Sequence, residues 1–169
     1  IEAQLSRMLV DADAVIMCGG LGPTHDDLTR HAIANVMGVE LVEDAMLVDT
    51  IRQMFESRGR TMAENNRRQA EVPVGAAIIS QTRGTAPGLI CPVTVDGVDK
   101  VVYAVPGVPH EMRDMLERAI VPDLLERSGE TAVIASRVLR TWGESESGLN
   151  EKLEHVIEQL ETPDTPTLA

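Results

Sequence analysis

Two adjacent carboxylates, Asp26 and Asp27, close the stretch CGGLGPTHDDLT, in which Gly19, Gly20 and Gly22 run into Thr24. Two chemistries fit this pattern. In the plainer one, Thr24 and Asp27 form a capping box: the threonine side chain caps a helix, and the aspartate reaches back to the backbone and suits the positive end of the helix dipole. That reading leaves the glycines without a purpose. In the other, a strand ending in Gly19, Gly20 and Gly22 delivers bare backbone amides to a helix start, where phosphate binds readily and glycine lets a ligand approach the main chain. Two carboxylates beside a phosphate repel it unless a divalent cation lies between them. Asp26 and Asp27 are then candidate ligands for a Mg²⁺-class ion.

A second loop of the same kind occurs at VPGVPHEM, residues 105–112. An apolar strand ends, Gly107 permits a close approach, and Pro109 opens the next helix, leaving amides near Gly107 and Val108 free. One such turn alone is an ordinary strand-to-helix connection, whereas two in one domain favour an anion site. Between them lie the glycine loop RGTAPG (83–88) and the polar stretch ENNRRQ (64–69). His25 and His110, one in each loop, could act as bases or ligands, although a loop histidine is more simply a solvated one. His31, four residues after Asp27, could reach the same helix face, although a histidine in a capped helix is the plainer reading.

The elements that must position these loops alternate between strands and helices. An amphipathic helix opens the chain, with Ile1, Leu5, Met8 and Leu9 on one stripe. The run AVIMCGG (14–20) suits a strand buried on both faces. A helix follows over DDLTRHAIANVMG with Gly38 as its stop, then another over EDAMLVDTIRQMFESRG closed by Gly59, and a polar helical turn closed by Pro73. AAIIS is a short strand, and two apolar runs flanking Asp96 and Gly97 form a hairpin. The segment 108–129 is helical, with Pro122 expected to kink or divide it. Met54, Met62, Met112 and Met115 read as packing on helix faces. The sum is a layered α/β domain, residues 1–128. After Gly129, a β-rich run and the acidic helix ESESGLNEKLEHVIEQLE suggest the start of a second domain over 129–169, with Trp142 in its core.

Composition narrows the partners. The 169 residues are 43% apolar and 25% charged, as expected of a soluble globular chain. No apolar run approaches the roughly 20 residues that span a bilayer, and no signal peptide opens the sequence, so no membrane association and a cytoplasmic location are expected. Ile1 is not an initiator methionine, and the sequence reads as a fragment. A formal charge of −12 opposes nucleic-acid binding, and one Phe, one Tyr and one Trp are too few for a base-stacking platform. A small anionic ligand is still permitted if amides or a cation supply the local positive charge. Cys18 and Cys91 lack metal-site spacing and read as small buried residues.

The motifs GGLGPTHDDLTR, ENNRRQAEVPVGA, GTAPG and VPGVPHEM, in this order and spacing, resemble the CinA (competence/damage-inducible protein A) family over nearly the whole chain. RVLRTWGESES resembles the start of that family's second, KH-like domain. The resemblance implies a three-layer α/β/α molybdopterin-binding-like domain with a mostly parallel sheet, followed by part of a smaller α/β domain, and a homodimer. It also implies metal-dependent hydrolysis of a nucleoside diphosphate sugar, ADP-ribose giving AMP and ribose 5-phosphate, with Mg²⁺, Mn²⁺ or Co²⁺ as the ion. Carried onto this sequence, Gly19, Gly20, Gly22 and Thr24 would hold phosphate, and Asp26 and Asp27 would be catalytic as metal ligands. Asn66 and Arg67 would contact substrate, although Arg67 could equally form a surface ion pair. Gly84, Thr85 and Gly88 would shape the pocket, with Gly107 and Pro109 completing the second anion loop.

The chain also departs from the family's pattern. The family's first strand, with its own glycine and acidic loop, has no counterpart here, and neither does the amidohydrolase domain of its longer members. WGESESG lacks a GxxG loop and is acidic, so a KH-like fold would not imply RNA. Two rival functions stand beside hydrolysis: molybdopterin binding in cofactor biosynthesis, and a non-catalytic ligand-binding or dimerisation module.

Overall fold

The computed structural model describes residues 1–129, 138 and 140–159. Strands form where the apolar runs are short: β1 (Ala14–Cys18), β2 (Leu41–Glu43), β3 (Glu71–Pro73), β4 (Ala77–Ile79), β5 (Gly88–Val95) and β6 (Val98–Val105). The helices are α1 (Glu2–Asp11), α2 (Thr29–Met37), α3 (Ala45–Glu56), α4 (Pro109–Met115), α5 (Val121–Ser128) and α6 (Glu146–Gln159). A 3-10 helix covers Glu64–Ala70, and a π-helical turn, Leu116–Ile120, joins α4 to α5.

The main sheet runs β1-β6-β5-β4. β1 pairs parallel with β6, whereas β5 pairs antiparallel with both β6 and β4, so among the described residues the sheet is mixed, with one parallel pair. The β5–β6 hairpin is the reason. Asp96 and Gly97 both take positive φ, 51° and 79°, as a tight two-residue hairpin turn requires, and a hairpin is antiparallel by construction. β2 and β3 form a separate antiparallel pair.

Strand alternation produces the three layers. On β6, Val102 and Ala104 join a core with Leu5 and Leu9 of α1, Ile33 of α2, and Leu47, Val48 and Ile51 of α3. Val101, Tyr103 and Val105 point the other way, into a core with Met115 of α4 and Ile120 of the π turn. On the second face the buried Tyr103 hydroxyl donates to Asp123 at 2.6 Å, and Asp123 also pairs with Arg127 at 2.6 Å. Burial, together with Asp123, raises the Tyr103 pKa well above its usual value.

Local signals explain most boundaries. Gly38 takes φ 69° in the C-cap of α2, and the side chain of Asp44 accepts the Leu47 amide at 3.0 Å to cap α3. Pro122 lacks a donor for the helix ladder, and the turn before it widens, with the Val121 amide reaching Leu116.

Several expectations are corrected. β1 lies at an edge of the described sheet, so Ile16 is 46% exposed and Cys18 is exposed, while Cys91 is buried as expected. Ile1 and Met8 leave the apolar stripe of α1 for solvent. Trp142 is 99% exposed rather than core. The chain falls into two compact units, Ile1–Thr131 and Ala132–Ala169. In the second, α6 forms as expected, with the Ser145 hydroxyl accepting the Gly148 amide at 3.2 Å. Most of the β-rich run 130–143 lies outside the described residues. Among those residues no helix is long and apolar enough to cross a membrane.

Candidate functional site

Three glycine loops meet at one end of the β1–β6 pair. They enclose a cleft of about 360 Å³ lined by Gly19, Gly20, Leu21 and Gly22 after β1, by Gly84 and Thr85 before β5, and by Gly107 after β6. Asp27 and Glu111 are its carboxylates. The volume is within the range of small-molecule sites.

Four carbonyls of the loop after β1 are held by protein donors. The Gly19 carbonyl accepts the Thr29 hydroxyl at 2.8 Å and the Gly20 carbonyl accepts the Thr29 amide at 3.2 Å. The Leu21 carbonyl accepts from the Arg30 guanidinium, and the Thr24 carbonyl accepts from Arg68 at 2.9 Å. The Gly19 amide continues the ladder to Val105 at 2.8 Å. Among the described residues, the amides of Gly20 and Leu21 have no partner, nor do those of Gly107 and Val108 across the cleft. Two adjacent free amides on each side of the cleft are the kind of donors that an anion can use.

Thr24 and Asp27 close a turn of their own. The Asp27 carboxylate accepts the Thr24 amide at 2.9 Å and its hydroxyl at 2.5 Å, while the Thr24 carbonyl accepts the Asp27 amide at 3.2 Å. Only the bond from the Thr24 amide to the Asp27 carboxylate belongs to a capping box, since the Asp27 amide goes to the Thr24 carbonyl and not to its hydroxyl, and α2 starts only at Thr29 with Leu28 at its N-cap and no side-chain cap. The capping-box expectation is therefore corrected: the turn braces the loop instead of heading a helix. Burial pushes the Asp27 pKa up, but the Thr24 hydroxyl, the amides of Thr24 and Gly22, and Arg30 together hold it below the usual carboxylate range.

The expected metal pair divides. Asp27 lines the cleft; Asp26 does not, is exposed, and takes the Thr24 hydroxyl at 2.6 Å, which lowers its pKa. Among the described residues no three of His, Cys, Asp and Glu are placed to hold an ion together. The donors fit a cation bound by one or two carboxylates, with ligand phosphate oxygens and water completing its shell, and do not fit one held by protein alone.

Thr24 braces the loop without lining the cleft. Gly88 packs inside β5, where a Cβ would come within 2.8 Å of the Met115 sulfur, and Pro109 heads α4. Asn66 donates to the Ala63 carbonyl at 3.2 Å, and Arg67 donates to Glu43 at 2.9 Å. Neither lines the cleft, and it is the adjacent Arg68 that reaches the loop.

Sequence reasoning missed Thr29, Arg30, Arg68 and Glu111. Glu111 comes from the first turn of α4, and a Cβ at Gly84 would fall on its carboxylate, so the glycine makes its room. The signal was available for Thr29 and Arg30, which follow the acidic pair one residue on, but nothing in spacing alone places Glu111 opposite Gly84.

Residues 1–126 match the family model described as "Probable molybdopterin binding domain". A CinA-like protein of Frankia casuarinae is 43% identical over 96% of this chain and 38% of its own length. One of Trichormus variabilis is 42% identical over 100% of this chain and 38% of its own length. The chain thus spans under two-fifths of these curated relatives. The crystal structure of the protein CinA, of unknown function, from Thermoplasma acidophilum is 31% identical with a TM-score of 0.59, covering 75% of this chain and 68% of that one. With its layered fold, its glycine-lined cleft and these relatives, the chain belongs to the molybdopterin-binding-domain family, in its CinA (competence/damage-inducible protein) group.

Proposed function

We propose that the cleft binds a nucleotide through its diphosphate and hydrolyses it, with ADP-ribose and water giving AMP and ribose 5-phosphate. The observation that carries this reading is the loop after β1, whose carbonyls are taken by protein donors while the Gly20 and Leu21 amides stay free beside the cleft. The amides of Gly107 and Val108 would hold phosphate oxygens from the other side, and preorganised donors of this kind stabilise charge that grows in a transition state. Asp27 and Glu111 would hold a divalent ion with the phosphates. When bound, such an ion neutralises phosphate charge and lowers the pKa of a water molecule. The chain's own residues fix the diphosphate against the loops and keep Asp27 ionised through its bonds to Thr24.

The test is AMP release from ADP-ribose with Mg²⁺, Mn²⁺ or Co²⁺, comparing the parent with Asp27→Asn and Asp26→Asn. Release by the parent, lost in the first variant and largely kept in the second, is expected. Equal loss in both variants would return Asp26 to the site. Saturable binding of ADP-ribose without any AMP would overturn hydrolysis and leave a binding module, and preference for molybdopterin over ADP-ribose would favour the cofactor-biosynthesis reading.

A further inference from the structure

Arg30 carries a charge in a place that opposes one three times over. It is 2% exposed, in the first turn of α2 where the helix dipole is positive, and Arg68 repels it. Among the described residues no carboxylate lies within ion-pair distance, although Glu71 and Asp27 attract it from further away. Burial pulls its pKa down, to about 10, and the guanidinium is still ionised at neutral pH. Among the described residues its guanidinium hydrogen-bonds to the Leu21 carbonyl. A neutral amide could hold that carbonyl equally well. What arginine adds is the charge, set at the Leu21 carbonyl beside the cleft that Leu21 and Gly22 line.

Resting on the phosphate-binding part of the function above, we propose that Arg30 is a positioning residue whose buried charge is the counter-charge of the bound phosphates. The ligand, rather than a protein carboxylate, completes its neutralisation. Affinity then depends on charge at position 30, and more strongly the more negative the ligand. Arg30 touches the loop and not the ligand, so it acts by holding the Leu21 carbonyl and through its field.

Two variants separate charge from hydrogen bonding. Arg30→Gln keeps a donor for the Leu21 carbonyl and removes the charge; Arg30→Lys keeps the charge and loses the fork. Binding of AMP and ADP to the full chain is measured by titration calorimetry at fixed Mg²⁺, with a thermal melt of each ligand-free variant. Arg30→Gln is expected to weaken ADP about tenfold or more, and AMP less, as a unit charge at moderate distance in an intermediate dielectric implies. Arg30→Lys should stay within about threefold of the parent for both ligands, and the ligand-free Arg30→Gln protein should melt no lower than the Arg30→Lys protein. Unchanged ADP affinity in Arg30→Gln would overturn the proposal while leaving phosphate binding intact. Equal losses for AMP and ADP, or collapse of the fold in both variants, would overturn it too, since Arg30 would then only shape the loop. A parent that binds neither nucleotide would overturn the phosphate reading itself.

Discussion

Gly20→Ala tests how the loop after β1 is built. Gly20 has φ +68°, and a Cβ there would fall on the Thr29 hydroxyl that holds the Gly19 carbonyl. Gly38 has nearly the same backbone, φ +69°, with nothing within 4 Å of its would-be Cβ. Gly38→Ala therefore reports left-handed strain alone, about 1–2 kcal/mol. Gly20→Ala adds displacement of Thr29 and one lost hydrogen bond, about 1 kcal/mol more, for a total of about 2–3 kcal/mol. A third variant isolates function. At Gly107 the nearest atom to a Cβ is the Gly19 Cα at 3.6 Å, an ordinary contact, so Gly107→Ala should change stability by less than about 0.5 kcal/mol while placing a methyl in the cleft. Urea denaturation of the three variants, followed by the far-ultraviolet signal, gives the stabilities, and ADP titration gives the binding. Equal destabilisation by Gly20→Ala and Gly38→Ala would refute the role given to Thr29. Unaltered ADP binding by Gly107→Ala would refute the cleft as the site.

Three further outcomes follow from the same structure. Tyr103→Phe removes the buried hydroxyl from Asp123 while leaving Asp123 with Arg127, and urea denaturation should register a loss of about 1 kcal/mol. For Asp123, burial pushes the pKa up, but bonds from Arg127 and Tyr103 outweigh it and hold the folded value below the usual one. Its contribution is therefore full above about pH 3.9 and is lost as pH falls through the lower folded pKa, so denaturation midpoints between pH 7 and pH 3 should fall more steeply in the parent than in Asp123→Asn. On the hydrolysis proposed above, Glu111→Gln should weaken the apparent Mg²⁺ affinity of ADP-ribose turnover at least about tenfold, with part of the rate restored at higher Mg²⁺; loss that no Mg²⁺ concentration recovers would assign Glu111 another role.

The fold was legible where the signal is local. Gly38 and Asp96–Gly97 each need backbone angles that few other residues accept, and the structure stops a helix or turns a hairpin at each. Strand burial was less legible, because AVIMC has the same apolar run whether its neighbours cover one face or two. β1 pairs only with β6 among the described strands, and the resulting exposure of Ile16 is a property of the sheet order, which no window of five residues contains.

The site divides along the same physical line. Gly19, Gly20, Gly22 and Gly107 could be read from the chain, since a glycine after an apolar strand marks close approach wherever it occurs, and the structure brings all four to one cleft. The charged residues could not be sorted that way. Asp26 and Asp27 are neighbours in sequence, yet the turn closed on Thr24 leaves only Asp27 in the cleft. Arg67 and Arg68 are likewise adjacent, and the 3-10 helix sends one to Glu43 and the other to the Thr24 carbonyl. A side chain's direction within a turn depends on where that turn's own backbone bonds go. The loop that leads into this turn is held by Thr29 and Arg30, residues whose types mark them as helix formers or surface charge until the carbonyls they hold are known.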